Sequence, residues 1–81
     1  MTMSCVYLIK SQRDGTYYTG MTDDIEKRVS EHNAGLVSST KSRTPYSLIW
    51  HCVFASRAEA LKFEKYLKTG SGSAFRNKHL V

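Results

Sequence analysis

Five side chains in this 81-residue sequence could do chemistry. Tyr7 and Tyr18 sit in the tripeptides Cys5-Val6-Tyr7 and Tyr18-Thr19-Gly20, Arg28 and His32 stand one helical turn apart, and Glu64 follows much later. A phenol and an imidazole pass protons, a guanidinium offers a fixed fork of donors to an oxyanion, and a carboxylate can hold a cation. Helical spacing makes three of the five unusual. At about 100° per residue, Ile25, Val29 and His32 share one stripe with Arg28 at its edge. Ala60, Phe63, Glu64 and Leu67 likewise fall at i, i+3, i+4 and i+7, a core-facing pattern. A carboxylate there is unfavourable unless it is paired or binds metal.

Each residue also has a plainer explanation. His32 alone reads best as a hydrogen-bonded core histidine, and Arg28 alone as a solvated residue paired with Asp24, four positions earlier. Glu64 could reach solvent or pair with Lys68, again at helical spacing. Tyrosine is an ordinary strand residue, so Tyr7 and Tyr18 carry no signal of their own.

The elements that must position these groups are legible in outline. Residues 5 to 9 form a continuous apolar run, as in a central strand covered on both faces. Asp14-Gly15 turns the chain into a second strand at residues 16 to 19, making a β-hairpin. Asp23 with Glu26 marks a helix start and Gly35 a stop, which predicts a helix over 24–34. Residues 47 to 54 should form a third strand, with Leu48, Trp50, Cys52 and Phe54 on one face and Ile49 and Val53 on the other. Ser56 with Glu59 opens a second helix over about 57–68. Residues 36 to 46 read as a long hydroxyl-rich, basic loop, and 70 to 74 as a flexible break before a basic end that could close as a short helix. The expected fold is α+β: one domain over 1–81, with a three-stranded, mainly antiparallel sheet flanked by helices in the order β-β-α-β-α.

Charge is unevenly spread. The first 35 residues carry four Lys or Arg against five Asp or Glu, whereas from Leu36 onward there are eight against two, so the formal net charge of +5 comes from the later part. A one-sided basic surface favours a polyanionic partner. Cys5 and Cys52 are too few and too far apart for a disulfide framework or zinc site, and free thiols in apolar runs suit a reducing cytoplasm. Met1-Thr2-Met3-Ser4 has no charged region leading into a long apolar stretch, and no segment is long enough to span a bilayer. Neither secretion nor a membrane partner is expected.

In combination, the motifs resemble the GIY-YIG nuclease superfamily, and most of all its small stand-alone bacterial members. Cys5-Val6-Tyr7 occupies the first motif, with Cys-Val for Gly-Ile, and Tyr18-Thr19-Gly20 the second, with Thr19 for Ile. Arg28 matches the arginine of the first helix, His32 the histidine that one branch adds four residues later, and Glu64 the metal-binding glutamate of the following helix. The stretches Thr22 to Arg28, Glu31 to Gly35 and Ser56 to Leu61 look typical of that group. Asn77 is the candidate for a functional asparagine beyond the glutamate, at a spacing that leaves the match open.

The resemblance implies a metal-dependent endonuclease acting on DNA, structure-directed or weakly specific, with a place in DNA repair or recombination. Nicked, branched or flapped DNA is the expected substrate. Tyr7 would activate water, His32 would hydrogen-bond it or accept its proton, Tyr18 would orient water or phosphate, and Arg28 would clamp the scissile phosphate. Glu64 would hold one Mg²⁺ or Mn²⁺, hard ions that tolerate a mostly water and phosphate shell. Lys41 and Arg43 are placed to hold backbone phosphates, which gives affinity with little sequence choice. The alternative is a nucleic-acid-binding module that keeps the fold without cleaving; a protein-interaction domain fits these residues poorly. So small a surface also raises the expectation of a protein partner or a homodimer.

Overall fold

The computed structural model describes residues 3–81; Met1 and Thr2, which begin both the expected domain and the segment read as free of a targeting signal, lie outside the described residues. The elements are β1 (Ser4–Ser11), β2 (Tyr17–Thr22), α1 (Ile25–Asn33), a 3-10 turn (Lys41–Arg43), β3 (Tyr46–Phe54), α2 (Arg57–Leu67) and α3 (Gly70–His79). The strands pair antiparallel in the order β2-β1-β3. This is the expected α+β architecture, with the apolar strand at the centre.

Because β1 is buried on both faces, its alternate residues serve two separate cores. Tyr7 and Ile9 pack with Tyr46, Tyr18, Ile25 and Val29 beneath α1. Val6 points the other way, to Ala60 and Leu67 of α2, with Trp50, Phe54, Phe63 and Phe75 around them. Among the described residues no helix is long and apolar enough to cross a membrane.

Three local expectations are corrected. Asp24 rather than Asp23 caps α1: its backbone is extended and its side chain accepts the Lys27 N–H at 3.1 Å. In β3, the register shifts between Leu8 and Ile9, so Trp50 pairs with Leu8 but Leu48 with Ile9. That bulge puts Leu48 on the opposite face from Trp50, and it is exposed.

The third correction is larger, for residues 70 to 74 are the first turn of α3 and not a flexible break. Thr69 caps it, its hydroxyl donating to the Tyr66 carbonyl at 2.7 Å and accepting the Gly72 N–H at 3.0 Å. Gly72 is required because a Cβ there would overlap the Tyr66 carbonyl. The glycines that suggest a linker thus permit a tight α2–α3 junction, and Phe75 and Leu80 then close the core.

Candidate active site

Tyr7 leaves the middle of β1 toward α1 and lies opposite Gly20 of β2. A Cβ on Gly20 would overlap the Tyr7 ring and hydroxyl, so the glycine of the second motif is a place for the tyrosine of the first. The Tyr7 hydroxyl meets His32 Nε2 at 2.7 Å, and both residues are fully buried. Tyr18 completes the group, its ring 5.0 Å from the His32 ring and 6.5 Å from that of Tyr7. Tyr46 closes the far side at 6.2 Å from His32.

α1 sets the geometry on this face. Its apolar stripe of Ile25 and Val29 seats the helix on the sheet and carries His32 inward on the next turn. Asn33 then fixes the end of the helix to β3: the Tyr46 N–H donates to Asn33 Oδ1 at 2.7 Å, and Asn33 Nδ2 donates to the Tyr46 carbonyl at 3.1 Å. Arg28, at the stripe's edge, stays partly exposed and pairs with Glu31 at 3.4 Å, not with Asp24, whose carboxylate is occupied as the cap.

Burial raises the Tyr7 pKa to about 12, against the opposing pull of the Arg28 guanidinium and with a further upward push from Glu64. The Tyr7 hydroxyl in turn does most to raise the pKa of Arg28, ahead of Glu31. The hydroxyl meets His32 at 2.7 Å, and the Arg28 guanidinium acts on it both as a hydrogen-bond donor and through its charge. His32 has its pKa lowered, first by burial and then by the nearby Arg28 cation, so it is held neutral.

Glu64 comes from α2, on the opposite face of the sheet. Its side chain is 15% exposed and its Oε2 receives Lys68 Nζ at 3.3 Å, the pairing its spacing allows. Among the described residues no three His, Cys, Asp or Glu gather around a common point. The donor set therefore offers one carboxylate with Oε1 unengaged, which suits a hard ion retaining most of its water and does not suit zinc.

The structure thus brings Tyr7, Tyr18 and His32 together and sets Arg28 and Glu64 within electrostatic reach of Tyr7. Lys41 and Arg43 are exposed on the 3-10 turn, where Arg43 pairs with Asp14 of the hairpin at 3.4 Å. Asn77 lies exposed on α3, accepting from Arg76 Nε at 3.2 Å. Sequence reasoning missed Thr40, which is fully buried and bonded to His32 Nδ1 at 2.7 Å; nothing distinguishes it within the hydroxyl run Ser38-Ser39-Thr40.

Residues 3–78 match the family of the GIY-YIG catalytic domain. The chain belongs to the GIY-YIG family. It is 46% identical over 67 residues to a UPF0213 protein of Halobacterium salinarum, covering 82% of this chain and 86% of that one. A UPF0213 protein of Staphylococcus saprophyticus is 43% identical over 67 residues, covering 82% and 80%. The solution NMR structure of a UPF0213 protein of Bacillus halodurans superposes with a TM-score of 0.58 at 28% identity, covering 94% of this chain and 83% of that one. GIY-YIG domains form a nuclease superfamily, and this chain is a small member of it.

Proposed function

We propose that this chain is a metal-dependent endonuclease that hydrolyses DNA phosphodiester bonds, structure-directed or weakly specific. The supporting observation is the buried contact between the Tyr7 hydroxyl and His32 Nε2, with a guanidinium beside it. A phenol is a poor base near neutrality and burial holds Tyr7 protonated, so the imidazole on its oxygen gives the proton a destination while the Arg28 guanidinium and a bound metal would have to offset that burial. As Tyr7 passes its proton to Nε2, the phenolate oxygen takes one from the attacking water. The hydroxide oxygen then bonds to phosphorus, the bond to the leaving oxygen breaks, and that oxygen is protonated from solvent.

Arg28 would grip the phosphate with two parallel N–H donors, and Tyr18 would orient water or phosphate. Glu64 would hold one Mg²⁺ or Mn²⁺, which offsets charge on the phosphate oxygens and makes water more acidic. Tyr7 has no exposed surface, so substrate must part the covering side chains. The Arg28–Glu31 and Glu64–Lys68 pairs, each partly exposed, would yield to phosphate and metal with little resistance, for such pairs contribute only about 0.3–0.5 kcal/mol. Lys41 and Arg43 would hold flanking phosphates. We place the enzyme in the cytoplasm, in keeping with free Cys5 and Cys52, with a protein partner or homodimer extending its small surface and repair or recombination as its setting.

Purified protein is expected to cleave nicked, branched or flapped DNA with Mg²⁺ or Mn²⁺, and Glu64→Ala and Tyr7→Phe to abolish cleavage while binding persists. The second reading, a binding module that does not cleave, is favoured by the closure of Tyr7 and the existing Glu64–Lys68 pair. Salt-sensitive binding with no product from any of these substrates would decide for it.

A further inference from the structure

The contact between Thr40 and His32 defines a chain of protons whose direction follows from donor and acceptor counting. Tyr7 is a neutral phenol with one proton, and His32 Nε2 is the hydrogen-bond partner the structure gives it, at 2.7 Å. At the opposite nitrogen, His32 Nδ1 meets Thr40 Oγ1 at 2.7 Å. Thr40 Oγ1 in turn donates to the Val37 carbonyl at 3.4 Å. That carbonyl also receives the N–H groups of Thr40 (3.1 Å) and Lys41 (3.0 Å), so the Thr40 hydroxyl is its third and longest donor.

A neutral imidazole has one donor and one acceptor nitrogen. If Nε2 carried the proton, the Tyr7 proton would be left without its partner, and the Thr40 proton would leave Val37 for Nδ1. With the proton on Nδ1, each link is satisfied: Tyr7 O–H to Nε2, Nδ1–H to Thr40 Oγ1, Thr40 O–H to the Val37 carbonyl.

We propose that Thr40 is a positioning residue that holds His32 in the Nδ1–H tautomer, keeping the Nε2 lone pair aimed at the Tyr7 hydroxyl. Its hydroxyl accepts from Nδ1 before proton transfer and continues to accept after it, when His32 is an imidazolium and both ring nitrogens donate. Thr40 is buried against the ring nitrogen of His32 that faces away from Tyr7. Its catalytic part rests on the nuclease reading, whereas the tautomer does not.

The test uses ¹⁵N NMR of the His32 ring alongside cleavage kinetics. Wild-type protein and Thr40→Ser should both show a protonated Nδ1 and an unprotonated Nε2, with similar kcat. Thr40→Val, which keeps the shape and removes the acceptor, should shift the proton toward Nε2 and lower kcat by tenfold or more with KM little changed. A protonated Nε2 in the wild type, or a Thr40→Val protein that keeps the Nδ1–H form or full kcat, would overturn the proposal. Wild-type protein with the Nδ1–H tautomer and no cleavage would sink the nuclease reading and Thr40's catalytic part, leaving the tautomer assignment in place.

Discussion

Tyr7 and His32 are both held neutral by burial, which ties stability to pH at two ends. The folded-state pKa of Tyr7 lies near 12 against an ordinary 10.0, so its contribution is complete below pH 10.0 and is lost as pH rises toward 12. About two pKa units correspond to a loss on the order of 2–3 kcal/mol. His32 is shifted the opposite way, below its ordinary 6.5. Its contribution is complete above that value and falls as pH drops through and below it, because the unfolded chain then binds the extra proton. Urea midpoints from pH 5 to 8 should show this acid-side loss in the wild type and a smaller one in His32→Gln. Arg28 supplies a third expectation, since Glu31 occupies the guanidinium that would clamp phosphate. Glu31→Gln should tighten DNA binding a few-fold at low salt with little change in stability, measured by fluorescence anisotropy and thermal unfolding.

Among the elements, α1 is fastened at both ends, by the Asp24 cap and by the Asn33 clasp on Tyr46. Asn33→Ala removes two side-chain hydrogen bonds to backbone and should cost roughly 1–3 kcal/mol, read as a lower urea midpoint with unchanged m. His32, one residue earlier, should lose its alignment with Tyr7 as α1 loosens. These elements differ in how far the sequence reveals them. β1 declares itself by an unbroken apolar run, α2 by Ser56 and Glu59, and the Glu64–Lys68 pair by its spacing, because each depends on near neighbours in the chain. The face taken by Leu48 depends on a bulge against β1, and α3 on the fit of Gly72 beneath the Tyr66 carbonyl. Both are set by approaches between segments, to which local pattern is blind. Tyr7, Tyr18, Arg28, His32 and Glu64 stand out as a candidate set through motif resemblance, whereas Thr40 acquires meaning only when the loop folds back onto α1.

Across the whole molecule, the positive charge follows the chain after Leu36, while the acidic residues of its first part include Asp23, Asp24 and Glu31 around Arg28. Nucleic acid should therefore be held mainly by the later segments, with a steep dependence on salt. Lys41, exposed and next in the chain to the buried Thr40, is the sharpest probe. Lys41→Ala should weaken binding to all sequences alike and reduce the slope of log K against log salt by about 0.9, as for one lost phosphate contact. The division of the sheet into two cores also has an optical consequence. The single tryptophan, Trp50, lies on the α2 side with its ring 5.8 Å from Phe63, the residue preceding Glu64. Its emission, excited selectively, reports from the helix that carries the carboxylate, while the tyrosines and histidine gathered under α1 lie on the other face of the sheet. One protein therefore carries a native fluorophore on the Glu64 side of its candidate site, on the opposite face of the sheet from Tyr7.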